Sequence, residues 1–240
     1  MQGMQTRKRF AVLFSLFAVV LAGVLLASGC SKSEGSQTPL PDAAGLLKQS
    51  ADTTRAQQSV HLVLTVNGKI PSMTLSRLAG DLTLTPAVAA KGEADLSFAG
   101  APIKGAPFVV VDGTLYAALS SGGQPIEIGP AADVYDVSAI LRPETGLSNI
   151  LSNFSNPKAE GRETINGVST VKITGTVSAD AVNKIAPQLK ASAPLPGTAW
   201  IEEGGNHQLE QAQLEVTPGN NIQMTLTDWG KPVTVSKPSE

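Results

Sequence analysis

Side chains able to do chemistry are few in this chain, and the most telling is its only cysteine, Cys30, which closes the run Leu25-Leu26-Ala27-Ser28-Gly29. Arg7, Lys8 and Arg9 precede an apolar stretch from Phe10 to Ala27, and small residues then lead to the thiol. A charged start, an apolar middle and a small-residue exit describe a secretory signal peptide. A cysteine directly behind that exit is placed for acylation. Its sulfur would take a diacylglycerol and, after cleavage, become residue one of the mature chain. The other use of such an apolar run is a single-pass membrane helix, but that helix has no need of a terminal Gly-Cys. Once acylated, Cys30 leaves no thiol for a disulfide or for catalysis.

The remaining candidates are weak. Two histidines, His61 and His207, are too few for a His-rich metal site, and both read as solvent-facing structural residues. No zinc-protease, paired-cysteine or calcium-loop spacing occurs. The serine-nucleophile elbow and the phosphate-binding glycine loops are missing as well. Glu202-Glu203 and the acids between Asp133 and Asp136 could form a carboxylate pair, but adjacent acids in turns ordinarily serve solvation. Asn153-Phe154-Ser155 fits a glycosylation acceptor, and Trp200 and Trp229 read as packing residues. The expectation is a chain with no catalytic residue, no metal and no cofactor.

Removal of the first 29 residues, which carry Arg7, Lys8, Arg9 and no acid, leaves 211 residues and takes the net charge from −2 to −5. Such a balance does not suit the phosphate backbone of a nucleic acid. Hydrophobic residues make up 42% but aromatics only 4%, so apolar surface must be aliphatic. The expected organisation is a signal peptide over 1–29, a flexible tether over 30–41 rich in Ser and Pro, and one domain over 42–238.

The domain must supply its own scaffold. Asp42 is an N-cap for a helix in which Ala43, Leu46, Leu47, Ala51 and Thr54 fall near a 3.6-residue period. From Ser59 the period becomes two: Val60, Leu62, Leu64 and Val66 alternate with polar neighbours, and Leu78 to Leu84 and Ala94 to Phe98 repeat the pattern. Asp112-Gly113 and Asn166-Gly167 are hairpin turns between β-rich runs. Between these turns the spacing predicts helices, one capped by Asp136 and one by Thr145. In the second, Leu147, Ile150, Leu151 and Phe154 share a stripe. Ser178 caps a further short helix, three strands close the chain, and Val233 and Val235 suggest a last short one. About ten or eleven strands and four short helices make an α+β fold, with a mainly antiparallel sheet wrapping the helices.

Taken together, several stretches resemble the mycobacterial LppX–LprA–LprF–LprG lipoprotein family, and its LprG branch most closely. They include Leu62-Val63-Leu64-Thr65-Val66-Asn67-Gly68-Lys69-Ile70-Pro71, Gly129-Pro130-Ala131-Ala132-Asp133, Lys158-Ala159-Glu160-Gly161-Arg162 and His207-Gln208-Leu209. The resemblance runs from Pro39 to about Pro238. Residues Ala27 to Cys30 resemble the bacterial lipobox, although Ala27 stands where Leu or Val is usual. The family implies a strongly curved half-barrel similar to the LolA and LolB carriers, with an apolar cavity between sheet and helices.

It also implies binding of multi-acylated lipids such as triacylglycerol, phosphatidylinositol mannosides and lipoarabinomannan. These would move from the inner membrane to the outer envelope with a major-facilitator efflux transporter. The carrier would be a monomer held by acylated Cys30 on the outer face of the cell membrane, or found in the cell wall or secreted. On this reading the cavity walls are Leu62, Leu64 and Val66; Leu82 and Leu84; Ala94, Leu96 and Phe98; Val109 and Val111; Val171 and Ile173. The helical stripe Leu147, Ile150, Leu151 and Phe154 faces them. The rival reading is a surface antigen or structural lipoprotein of the envelope with a closed core.

Overall fold

A computed structural model of the chain describes residues 38–98 and 100–238. The expected signal segment 1–29, Cys30 and the expected tether up to residue 37 lie outside the described residues, as does the side chain of Phe98.

The Asp42 Oδ2 accepts the Gly45 N–H at 2.6 Å, satisfying one of the free amides of a helix start. Helix α1 (Ala43–Arg55) follows, with Ala43, Leu46, Leu47, Ser50, Ala51 and Thr54 buried in one stripe. On its exposed side Asp52 pairs with both Lys48 and Arg55. Six strands come next: β1 (Ser59–Asn67), β2 (Leu75–Thr83), β3 (Ala89–Phe98), β4 (Ala101–Val111), β5 (Thr114–Ala117) and β6 (Ile126–Pro130). A helical stretch interrupts them, comprising α2 (Ala131–Val134), a 3₁₀ turn at Val137–Ile140 and α3 (Leu147–Ser152). The hairpin β7 (Phe154–Ile165) and β8 (Val168–Val177) leads to α4 (Ala179–Ile185) and a 3₁₀ turn at Pro187–Leu189. Strands β9 (Leu195–Glu202), β10 (Leu209–Thr217) and β11 (Asn220–Thr227) finish the fold.

The strands form one sheet in the order β6-β5-β4-β3-β2-β1-β11-β10-β9-β8-β7, antiparallel throughout. Because β6 and β7 do not pair, the curved sheet stays a half-barrel. Strand β1 pairs with β11, so the first and last strands meet at its centre, with Leu62 opposite Leu226 and Val66 opposite Ile222. Both predicted hairpin turns form: Asp112 and Gly113 have φ of 52° and 75°, and Asn166 and Gly167 have 50° and 83°. Positive φ at both central positions is what a tight hairpin turn with matching twist requires. Bulges between Leu75 and Arg77, Ala94 and Leu96, and Leu209 and Gln211 add local twist. Gly80 faces Gly92 across β2 and β3. A Cβ on Gly92 would lie 2.1 Å from the Ala79 oxygen, so these backbones meet at a separation only glycine permits.

The helices gather on one half of the sheet, where α1 packs on α3, β7 and β9, and α3 on α4. There Val171, Ile173, Val177, Ala181, Val182 and Ile201 are fully buried. Three local expectations change. Helix α3 is capped by Gly146, whose missing Cβ would meet the Ile140 oxygen at 2.1 Å; Thr145 instead turns its hydroxyl to the Ala139 carbonyl. Phe154 begins β7 rather than ending the helix. Val233 and Val235 form no strand. Their segment crosses the outer face of the sheet, with Lys91 Nζ donating to the Thr234 oxygen and Lys237 lying over the Tyr116 ring.

Candidate functional site

The half of the sheet that the helices leave uncovered is hollow. Small residues explain this: Gly80, Ala90, Ala94, Ala106 and Ala117 occupy inward positions of β2 to β5 and fill little of the space before them. The cavity holds about 510 Å³ and its walls are predominantly aliphatic. That size and character fit a site for a largely apolar ligand. Leu62 and Leu64 of β1, Leu82 of β2, and Ala94 and Leu96 of β3 line it. Leu147, Ile150 and Leu151 of α3 form the facing wall, and Phe154 lines it from the start of β7.

The other sequence-derived positions lie elsewhere. Val109 and Val111 fall on the opposite face of β4, where Val109 pairs with Tyr116 and Lys91. The residues that reach the cavity are Phe108 and Val110. The register decides this: Val110 stands opposite Ala90 and Ala106 opposite Ala94, and directly opposed residues share a face. Three consecutive valines carry no alternation, so the sequence could not reveal the phase. Val171 and Ile173 point inward but are sealed beneath the helices with no exposure. Leu84 lies just past β2 and packs against the core. Val66 borders a smaller neighbouring pocket. Cys30 and the Phe98 side chain are outside the described residues.

Several lining residues escaped sequence reading because they sit in irregular segments. Tyr135 follows α2, and its hydroxyl donates to the Ile185 carbonyl at 2.9 Å, tying the helical stretch to α4. Burial, with a smaller push from Asp136, raises its phenol well above the ordinary value, so it stays neutral. At the open end, Leu119 and Val134 line the cavity while being 59% and 67% exposed, which makes the apolar surface continuous from interior to rim.

The polar candidates are engaged structurally. His61 Nδ1 lies 2.7 Å from Asp81 Oδ1 on a strand face, and His207 Nδ1 is 3.2 Å from the Glu202 oxygen in a turn. Glu203 pairs with Arg162. Among the described residues no three His, Cys, Asp or Glu side chains gather as a metal site, and no helix is long and apolar enough to cross a membrane.

Comparison with known proteins places this geometry among relatives. The model of the LppX_LprAFG lipoprotein family matches residues 42–235. A lipoarabinomannan carrier protein LprG of Mycolicibacterium smegmatis is 59% identical over 98% of this chain and 100% of its own length. The protein of that name from Mycobacterium tuberculosis is 50% identical over 98% of this chain and 99% of its own. Among solved structures, LprF from Mycobacterium bovis superposes with a TM-score of 0.75 at 31% identity, covering 85% of this chain and all of that one. LppX from Mycobacterium tuberculosis gives 0.62 at 30% identity, covering 81% and 98%.

Proposed function

This chain belongs to the LppX_LprAFG lipoprotein family, and from that premise we propose that it is a lipid carrier whose half-barrel holds the acyl chains of multi-acylated lipids. The single observation that carries the reading is the aliphatic cavity of about 510 Å³, open at one end and continuous with an exposed apolar rim. An envelope lipoprotein acting only as antigen or structural element has no use for such a space. The cargo on this reading includes lipoarabinomannan, which names the close relatives, together with phosphatidylinositol mannosides and triacylglycerol.

The energetics suit carriage without catalysis. Hiding an acyl chain from water is worth roughly 0.8 kcal/mol per methylene, or about 12 kcal/mol for a 16-carbon tail, so tails do not travel free. Passing from bilayer to cavity, however, exchanges one apolar phase for another, and the net change is small. Loading and release are then reversible without ATP. Direction comes from a partner, proposed here as a major-facilitator efflux transporter of the inner membrane, or from a lipid sink further out. Acylated Cys30 and the tether hold a monomeric carrier on the outer face of the cell membrane.

Ala94 provides the test. It lines the cavity at 8% exposure, and Ala94→Trp fills space without adding charge. Lipid co-purifying with the full-length protein, measured by mass spectrometry, falls several-fold in this variant while circular dichroism is unchanged. An undiminished lipid load in the folded variant overturns the reading.

A further inference from the structure

A second, smaller pocket lies beside the mouth and is polar where the main cavity is apolar. It holds about 210 Å³ under the β1–β2 turn, among Val66, Lys69, Ile70, Thr74 and Ser76. Met73, Thr74 and Leu75 form a wall shared with the main cavity. A molecule whose tails fill the one therefore has its polar end beside the other.

The turn is anchored. The Lys69 N–H donates to Asn220 Oδ1 at 2.8 Å, Asn67 Nδ2 donates to Asn221 Oδ1 at 2.9 Å, and Ile70 is buried beneath. Gly68 has a φ of 81°, and a Cβ there would meet Asn220 Oδ1 at 2.1 Å, so the close seat on the β10–β11 turn depends on glycine. The backbone of Lys69 is thus fixed while its ammonium is uncommitted. Among the described residues the Lys69 ammonium and the Thr74 hydroxyl have neither ion pair nor hydrogen bond, whereas Lys158, Arg162 and Lys172 on the far half of the sheet are each engaged by a carboxylate. The connections around the mouth, residues 68–74, 118–125, 186–194 and 218–219, contain Lys69 and Lys190 and no Asp or Glu. An ammonium beside a hydroxyl, with the Glu215 carboxylate at the adjoining β10–β11 turn accepting the Gly219 N–H at 3.0 Å, favours an anion with several acceptor oxygens.

We propose that this pocket seats the phosphate of a phosphate-bearing lipid head group, with Lys69 Nζ on its oxygens and the Thr74 hydroxyl donating beside it. Lys69 thereby selects anionic over neutral lipids. The assignment rests on the carrier reading above and adds a determinant of specificity to it.

Delipidated full-length protein is incubated separately with phosphatidylinositol and with triacylglycerol, each dispersed in a non-ionic detergent, and bound lipid is counted by native mass spectrometry. Lys69→Gln weakens phosphatidylinositol binding about three- to tenfold, the loss expected for one charge-assisted hydrogen bond at a solvent-accessible site. Triacylglycerol uptake is unchanged, and Lys69→Arg restores the preference. Equal loss for both lipids, or no loss for phosphatidylinositol, overturns the assignment. So does inorganic phosphate that competes with phosphatidylinositol at equal concentration, since the pocket would then be a free-anion site. Wild-type protein that loads neither lipid sinks the carrier reading itself, a result distinct from loading both without regard to Lys69.

Discussion

The β7–β9 half of the sheet and the β2–β5 half present inward faces of similar aliphatic chemistry, yet one is filled and the other hollow. Under α1, α3 and α4, Val171, Ile173 and Ile201 have no exposure. Across the sheet the corresponding positions are Gly80, Ala90, Ala94 and Ala106, and among the described residues no long helix lies over them. Two causes act together: branched side chains meet helices on one half, while small side chains on the other stop short of the α3 wall across the cavity. Apolar patterning is therefore common to core and site, and residue volume separates them. The outer faces differ too. Edge strand β7 carries Lys158, Glu160, Arg162 and Glu163, charges that discourage pairing with a stray strand, whereas edge strand β6 exposes Ile126 and Ile128.

The sharpest test of this contrast is to delete the same three carbons on each half. Ile173→Ala leaves a cavity in a sealed core and costs about 3 kcal/mol of stability. Leu96→Ala enlarges a space already present and costs less than about 1 kcal/mol in lipid-free protein. Urea unfolding of delipidated protein measures both, and equal losses would mean that the two halves are equally packed. With lipid bound, Leu96→Ala becomes the more costly relative to its own lipid-free value, because tail contacts are then lost as well.

A smaller effect distinguishes the outer faces by pH. The Trp200 indole N–H, donating at 2.7 Å, and then Lys172 hold the Glu163 carboxyl below its usual range, and Arg162 does the same for Glu203. Carboxyls lowered in the folded state contribute stability that is full above their unfolded pKa and is lost as pH falls through the folded one. Both are substantially exposed, so solvent screening keeps each contribution well under about 1 kcal/mol. Amide protection factors in β8 and β9, referenced to the slower intrinsic exchange in acid, should fall as pH drops from about 5 to about 3, while those in β3 and β4 change less.

Glu210 behaves oppositely and gives the smallest effect. Burial, and secondarily Glu202, raises its pKa, so its ionised form is disfavoured on folding. Its contribution becomes less unfavourable as pH falls toward the raised value. Glu210→Gln should stabilise the protein near neutrality by less than about 1 kcal/mol, read as a higher midpoint in thermal unfolding that narrows on acidification.

Much of the fold was legible where local chemistry decides it. Asp42 and Ser178 cap helices as their spacing predicts, and Asp112-Gly113 and Asn166-Gly167 turn hairpins. What failed to show was set by distant partners. Pro102 and Pro107 argue against a strand, yet β4 runs through both because short β5 pairs only with Phe108 to Val111, leaving the start of β4 without a neighbour on that side. The phase of Val109 to Val111 follows from the register with β3, and Phe154 reaches the cavity from a strand rather than a helix. The division between lining residues and sealed ones such as Ile173 depends on where the helices lie, which no periodicity records.

The seam between β1 and β11 has a consequence for how the molecule comes to exist. Asn67 and Asn221, bonded across it, are 154 residues apart in sequence. A chain synthesised from its amino terminus must therefore carry β1 with one unsatisfied edge until β11 has been made. Closing so long a loop is slow, and during the wait that edge is open to strands of other copies. Loss of the final strand would accordingly harm assembly far more than its eight residues suggest.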